Sequence, residues 1–278
     1  MTPVTAGAGT HPDDDVLPSR RPIDPSAVAA LLAAAGSWRI SHVLRTGSTN
    51  ADLAAGGHPH GTVLTTEEQL AGRGRSGRDW SCPFGAGLMF SVLLRLPEVP
   101  AERRGWTGAV LGLAIVRAMQ RVGGVRADLK WPNDVLIDGR KCAGILGEVA
   151  DGAVVIGAGI NVSLRPGELP RADATSLLLA GGAVDREQLL AAVLDEFGLL
   201  LGRWTAAAGD IDASGLRADY RNACGTIGAR VRLQRPGGGQ VEGQAMDVAV
   251  DGSLVIADAF GVRSSYSAAD VVHLRPDR

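Results

Sequence analysis

Polar and apolar positions change period several times along the chain, and each change marks a predicted element. Residues 1–24 hold Pro, Gly, Thr and Asp without an apolar period and read as a flexible arm. Pro25 to Ala35 carries Ala, Val and Leu at helical density, with Gly36 as its stop. Trp38 to Arg45 predicts a strand. A short helix with a hydroxyl cap then begins in Ser48-Thr49-Asn50 and ends at Gly56-Gly57. Residues 61–69 and Gly87 to Leu96 predict strands, the second nearly all apolar and therefore buried. Trp106 to Val122 has helical spacing. Val125 to Lys130, Val135 to Asp138, Cys142 to Val149 and Ala153 to Val162 read as strands, with turns at Asp138-Gly139 and Asp151-Gly152. Asp185, with Gln188 in the capping-box position, opens a helix that runs to about Ala208.

After Asn222 the texture becomes all-β. Arg230 to Gln234, Gln240 to Val250, Ser253 to Asp258 and Val262 to Tyr266 are short strands separated by Pro236-Gly237-Gly238-Gly239 and Asp251-Gly252. The expected organisation is an arm (1–24), a mixed α and β catalytic domain (25–223) and a small β-barrel (224–278), an α+β protein overall.

Composition narrows the classes. The chain has 278 residues, 45% of them hydrophobic, enough for one substantial core and a small second domain. Its 28 Lys and Arg against 30 Asp and Glu give a net charge of −2, so the overall field offers no attraction for DNA or RNA. The three cysteines, Cys82, Cys142 and Cys224, are odd in number and far apart, which argues against a disulfide framework or a zinc knuckle and for a reducing, cytoplasmic setting. No secretory signal or membrane span is expected.

Candidate chemistry is concentrated in two strings. Gly72-Arg73-Gly74-Arg75-Ser76-Gly77-Arg78 formally fits a dinucleotide fingerprint, but Trp80, Pro83, Gly85 and Gly87 follow where a helix would have to start. A Walker A loop fails for want of Gly-Lys-Ser/Thr. What remains is a glycine-rich loop with three guanidinium forks suited to phosphate or carboxylate, or a plain solvated basic loop, or an arginine-glycine nucleic-acid segment. The second string is Lys130-Trp131-Pro132-Asn133-Asp134, where Pro132 interrupts a strand-like run. Lys130 there either snorkels to solvent or neutralises an anion in a cleft, and Asp134 either forms a turn or helps to hold a hydrated Mg²⁺.

Taken in order, Ser48-Thr49-Asn50, the stretch Gln69 to Trp80 and Lys130 to Asp134 resemble the biotin protein ligase family. Gly144-Ile145-Leu146-Gly147-Glu148 and Gly157 to Val162 extend the match. The resemblance runs from about residue 38 onward and implies a class II synthetase-like mixed sheet followed by an SH3-like barrel. It implies a two-step reaction in which biotin and MgATP give biotinyl-5′-AMP, and a lysine of a biotin carboxyl carrier domain then displaces AMP. It further implies that Ser48, Thr49, Asn50, Gln69, Gly72, Arg73, Gly74, Gly144 and Asn161 contact biotin or its adenylate, with Arg75 and Lys130 as the catalytic cations. The segment Leu164 to Leu179, where the family's adenine-covering loop would fall, has no aromatic side chain to stack on the base. The residues before the first helix are too few for a winged helix, so no DNA binding is expected, and the state expected is a monomer or weak homodimer. A lipoate or octanoate ligase of the same fold is the nearest rival, and an RNA-binding module the distant one.

Overall fold

The computed structural model describes residues 20–33, 37–235, 238–267 and 269–274. In chain order its elements are α1 (Pro25–Leu31), β1 (Arg39–Thr46), α2 (Thr49–Ala54), β2 (Thr62–Gln69), β3 (Gly87–Leu94), α3 (Thr107–Gly123), β4 (Asp128–Lys130), β5 (Asp134–Ile137), β6 (Arg140–Ala150), β7 (Ala153–Asn161), α4 (Arg186–Ala206) and α5 (Leu216–Ala223). Five further strands follow, β8 (Arg230–Gln234), β9 (Gln240–Val248), β10 (Leu254–Ala257), β11 (Arg263–Tyr266) and β12 (Asp270–His273).

The strands form two sheets in an α+β arrangement. The first has seven strands in the order β1-β2-β3-β7-β6-β5-β4, parallel between β1 and β2 and antiparallel elsewhere. Phe90, Val92, Ile145, Ile156, Ala158 and Ile160 share the main core with Leu111, Ile115 and Met119 of α3 and with Leu190, Leu194 and Phe197 of α4. On the other face Leu64, Leu93, Ala153 and Val155 bury Leu53 of α2 in a smaller core. Farther along that second face β7 carries Gly157 and Gly159 and β6 carries Gly144, and the candidate site lies there.

The second sheet is antiparallel throughout, in the order β11-β10-β9-β8-β12. It adjoins the first through hydrogen bonds. Gly225 N donates to Leu129 O at 2.9 Å, Trp131 N to Thr226 Oγ1 at 3.0 Å, Trp131 Nε1 to Gly252 O at 2.9 Å, and Trp106 Nε1 to Val250 O at 2.7 Å. Cys224, where the sequence suggests a boundary, makes a bridge to Leu129 of β4.

Several elements differ from expectation. α1 stops at Leu31, because Leu32 is already extended (φ −68°, ψ 133°), and Gly36 lies outside the described residues. Of the strand expected over Val125 to Lys130 only β4 forms, since Gly124 turns into the left-handed region to close α3 and Val125 N bonds back to Met119 O. Residues 20–24, read as arm, are hydrogen-bonded into the fold. α5 and β12 have no counterpart in the sequence reading. α5 starts on Gly215 without a capping side chain, and β12 has only Val271 buried. Among the described residues no helix is long and apolar enough to cross a membrane.

Candidate active site

Paired residues on antiparallel strands share a face of the sheet. One such row runs from Lys130 to Asp134, Gly144, Gly159 and Met89. On β7, Gly157 lies two positions to one side of Gly159 and Asn161 two positions to the other, so the three mark a line of about 13 Å. Absence of a side chain at two of them lets Asn50 and Trp80 pack against the strand and shape the space over it. A Cβ at 157 would stand 2.2 Å from Asn50 Oδ1, and one at 159 would stand 2.3 Å from Trp80 Cε2. The result is a cavity of about 680 Å³ along the free face of the sheet.

The Gly157 end is built by α2. Ser48 caps that helix by accepting from Ala51 N, which leaves its hydroxyl proton for a ligand. Gln69 Oε1 accepts from Thr49 N at 2.9 Å and Thr49 Oγ1 at 3.2 Å, so the Gln69 amide presents its NH₂. Asn50 is saturated by protein. Its Nδ2 donates to Glu148 Oε2 (2.8 Å) and Leu146 O (3.2 Å), and its Oδ1 accepts from Ser91 Oγ (2.6 Å). Asn50 therefore bolts α2 to the sheet, while Ser48, Thr49 and Gln69 form the polar end of the cavity.

The arginine-glycine loop folds over the middle as a small hairpin. Arg73 bridges Asp79, Gly74 N donates to Arg78 O at 2.6 Å, and a 3-10 turn spans Arg75–Gly77. Arg73 pairs with Glu148 at 3.4 Å, and Arg78 pairs with Asp270 of β12. Arg73, Gly74 and Arg75 line the cavity. Gly72 does not. It sits under the turn, where a Cβ would be 2.3 Å from Trp80 O, and its own carbonyl accepts from Trp80 N. Burial pushes the Arg75 guanidinium below its ordinary pKa, partly offset by the charges of Asp270 and Asp134.

Lys130 ends β4 on the floor of the cavity. Desolvation lowers its pKa, and the Asp134 carboxylate opposes that shift. A second lysine, which the sequence reading passed over, joins it. Lys141 Nζ lies 2.5 Å from Asp134 Oδ1 and 5.7 Å from the centre of the Trp80 ring. Simple alternation from Gly144 would turn Lys141 into the core. The register between β5 and β6 instead shifts at Cys142, so that Val135 faces Ala143 and Leu136 faces Lys141, and the extra residue brings Lys141 onto the cavity face. The cis bond between Trp131 and Pro132 follows Lys130, and Asn133 Nδ2 donates to Ile145 O at 2.9 Å, which ties this turn to β6.

At the Asn161 end, Asn161 Nδ2 donates to Thr175 O at 2.9 Å, whereas its buried Oδ1 has no partner. Pro170, Arg171, Asp173 and Ala174 form the wall there, and none is aromatic. The backbone of this segment flanks Lys141, with Lys141 N donating to Asp173 O and Thr175 N to Lys141 O, both at 2.8 Å. β12 contributes Asp270 to His273. Among the described residues no group of three His, Cys, Asp or Glu is placed to hold a metal ion, and Asp134 is engaged by Lys141. Cys82 and Cys142 are pushed up to about 12 by burial, which removes them as nucleophiles.

Residues 42–164 match the model of the biotin/lipoate A/B protein ligase family, and residues 226–274 match that of the biotin protein ligase C-terminal domain. The biotin–[acetyl-CoA-carboxylase] ligase of Mycobacterium tuberculosis is 43% identical over 266 residues, 92% of this chain and 97% of that protein. The ligase of the same name from Paracoccus denitrificans is 34% identical over 82% of this chain and 97% of its own length. Among solved structures, the biotin protein ligase from Aquifex aeolicus in complex with biotin and ATP superposes with a TM-score of 0.73 at 26% identity, covering 85% of this chain and 99% of that one. With two thirds or more of a relative over 30% identical accounted for, the chain belongs to the biotin protein ligase family.

Proposed function

We propose that the protein condenses biotin with MgATP to biotinyl-5′-AMP and then passes biotin to a lysine of a biotin carboxyl carrier domain. The observation that carries this reading is the order of groups along β7: neutral donors near Gly157, cations beside Gly159, and an unpaired acceptor at Asn161. The ureido oxygen of biotin suits the Ser48 hydroxyl and the Gln69 amide, and Trp80 walls the ring. The carboxylate then points to Lys130, Lys141 and Arg75. Asn161 Oδ1 can accept from the exocyclic amine of adenine.

In the first step a biotin carboxylate oxygen attacks the α-phosphorus, the bond from that phosphorus to the bridging oxygen breaks, and pyrophosphate leaves. Bringing the two anions to 3.5 Å costs about 5 kcal/mol at an effective dielectric near 20. Lys130 and Lys141 stand where that repulsion arises, and Arg75 above them adds a third charge. In the second step the neutral amine of the acceptor lysine attacks the acyl carbon, AMP departs with the acyl-phosphate oxygen, and the amine gives up a proton to water. The hairpin of residues 72–80 shields the mixed anhydride from hydrolysis. Mg²⁺ would enter as part of the substrate, held by the triphosphate. The free cysteines support work in a reducing cytoplasm.

The test is pyrophosphate release from ATP by the purified protein with biotin, lipoate or octanoate, followed by labelling of a carrier domain. Biotin-dependent release and labelling of a single lysine support the assignment. Dependence on lipoate or octanoate would change the substrate, and no release with any of the three would remove the ligase reading.

A further inference from the structure

The segment before α1 reaches the nucleotide end of the cavity without touching it. Arg20 holds Glu168 in a two-pronged pair, Nη1 to Oε1 at 2.9 Å and Nη2 to Oε2 at 2.7 Å. The same guanidinium donates to Ser163 O at 2.7 Å and to Ser163 Oγ at 3.2 Å. Ser163 follows directly on β7, and Glu168 closes a turn by accepting from Arg165 N at 2.8 Å. One side chain therefore fixes both ends of the turn at residues 163–168. The pair is well covered, with side-chain exposures of 15% and 28%.

Arg20 is itself anchored. Ile23 N donates to Glu67 Oε1 at 2.8 Å, Asp24 N to Glu187 Oε1 at 3.0 Å, and Arg186 holds the carbonyl of Arg21. Gly85 gives the strap its bed, since a Cβ there would lie 2.5 Å from Arg20 O and its φ is +69°. Beyond Glu168 the chain continues through Pro170, Arg171 and Asp173, the cavity wall, and then flanks the Lys141 backbone and receives Asn161 Nδ2 at Thr175 O. A path of covalent and hydrogen bonds thus leads from Arg20 to the wall at the adenine end, while the Ser48 and Gln69 end is built by α2 and β2 with anchors on β3 and β6.

We propose that Arg20 is a positioning residue for the nucleotide subsite: by clamping Ser163 and Glu168 it sets the wall segment 169–175 against which ATP binds. This rests on the reading of the cavity as a biotin and ATP site. No aromatic ring lies in that segment to stack on the base, so the shape of the wall decides how well ATP fits.

The experiment measures biotin-dependent pyrophosphate release while ATP and biotin are varied in turn, for the full chain and for R20A, R20K, E168Q, the double variant R20A/E168Q and R21A. Loss of a charge-assisted, two-pronged pair is expected to raise the KM for ATP by about tenfold in R20A and E168Q. The KM for biotin should stay within about twofold, and the double variant should be no worse than R20A, because R20A already removes the pair with Glu168 together with the bonds to Ser163. R20K should recover part of the ATP effect through a single hydrogen bond. R21A removes an exposed guanidinium on the same strap, while the buried Glu187 keeps its bond from Asp24 N, and should behave as wild type. An unchanged KM for ATP in R20A, or equal rises for ATP and biotin, would overturn the proposal. If wild type itself shows no biotin-dependent release, it is the underlying site reading that fails.

Discussion

Trp80 occupies the space that a side chain at Gly159 would need, since a Cβ on that glycine would stand 2.3 Å from Trp80 Cε2. Gly159→Ala must therefore displace the indole. Overpacking of this kind costs about 1–3 kcal/mol. Biotin affinity is expected to fall by at least about tenfold, an effect calorimetric titration would register. Wild-type affinity in the alanine variant would contradict the placement of Trp80 against the biotin ring.

Lys130 and Lys141 flank Asp134, and removing either leaves part of the repulsion between carboxylate and phosphate unscreened. Lys130→Met and Lys141→Met are each expected to slow adenylate formation by about 100-fold or more, the usual loss for one stabilising group aimed at developing charge. Single-turnover formation of biotinyl-AMP measures this directly. Transfer from supplied adenylate should suffer less, since that charge is already neutralised in a covalent bond. Formation within threefold of wild type would remove the lysine concerned from the mechanism.

Desolvation sets a pH dependence. The Lys130 pKa is lowered, and its ammonium form is the one that neutralises the anions, so activity is present below that pKa and lost as pH rises through it. The alkaline limb of kcat/KM for adenylate formation, which reports the free enzyme, should therefore fall below the ordinary lysine range. Lys130→Arg should carry it upward, because a guanidinium does not deprotonate there. A pH profile of the first step in both proteins decides it, and identical limbs would count against Lys130 as the titrating group.

Glu67 and Arg186 form an ion pair at 2.5 Å with side-chain exposures of 0% and 2%. Glu67→Gln removes the carboxylate from this buried pair, and breaking one partner of such a pair costs about 3–5 kcal/mol. Urea unfolding should show the loss as a shifted midpoint at constant slope. A change below about 1 kcal/mol would count against a stabilising role for this pair.

Much of the site was legible because its strings are local: Ser48 to Asn50 cap one helix, Gln69 to Trp80 fold as one hairpin, and Lys130 to Asp134 make one strand turn. What escaped depends on register and distance. Lys141 reaches the cavity only because β6 carries an extra residue at Cys142, and a period-two reading of that strand points it the wrong way. Asn50 lines the cavity but spends its amide on Ser91, Leu146 and Glu148, a role no local pattern announces, and Gly72 gives its space to Trp80. Arg20 pairs with a residue 148 positions away, beyond any local pattern. α5 and β12 were missed because their signals are weak on their own and they form against surfaces made elsewhere.

β12 supplies Asp270 to His273 to a cavity whose first residue is Ser48, so its lining draws on positions spread over most of the chain. During synthesis the seven-stranded sheet can assemble once β7 has left the ribosome, yet the wall opposite Lys130 is still untranslated. A nascent chain stalled before residue 270 would present the lysines and the arginine loop to bulk water, able to meet ATP but poorly equipped to keep a reactive acyl phosphate. The order in which the chain is made thus delays a closed reaction chamber until β12 has emerged, and a product aborted before β12 should lose to its surroundings any activated biotin that it forms.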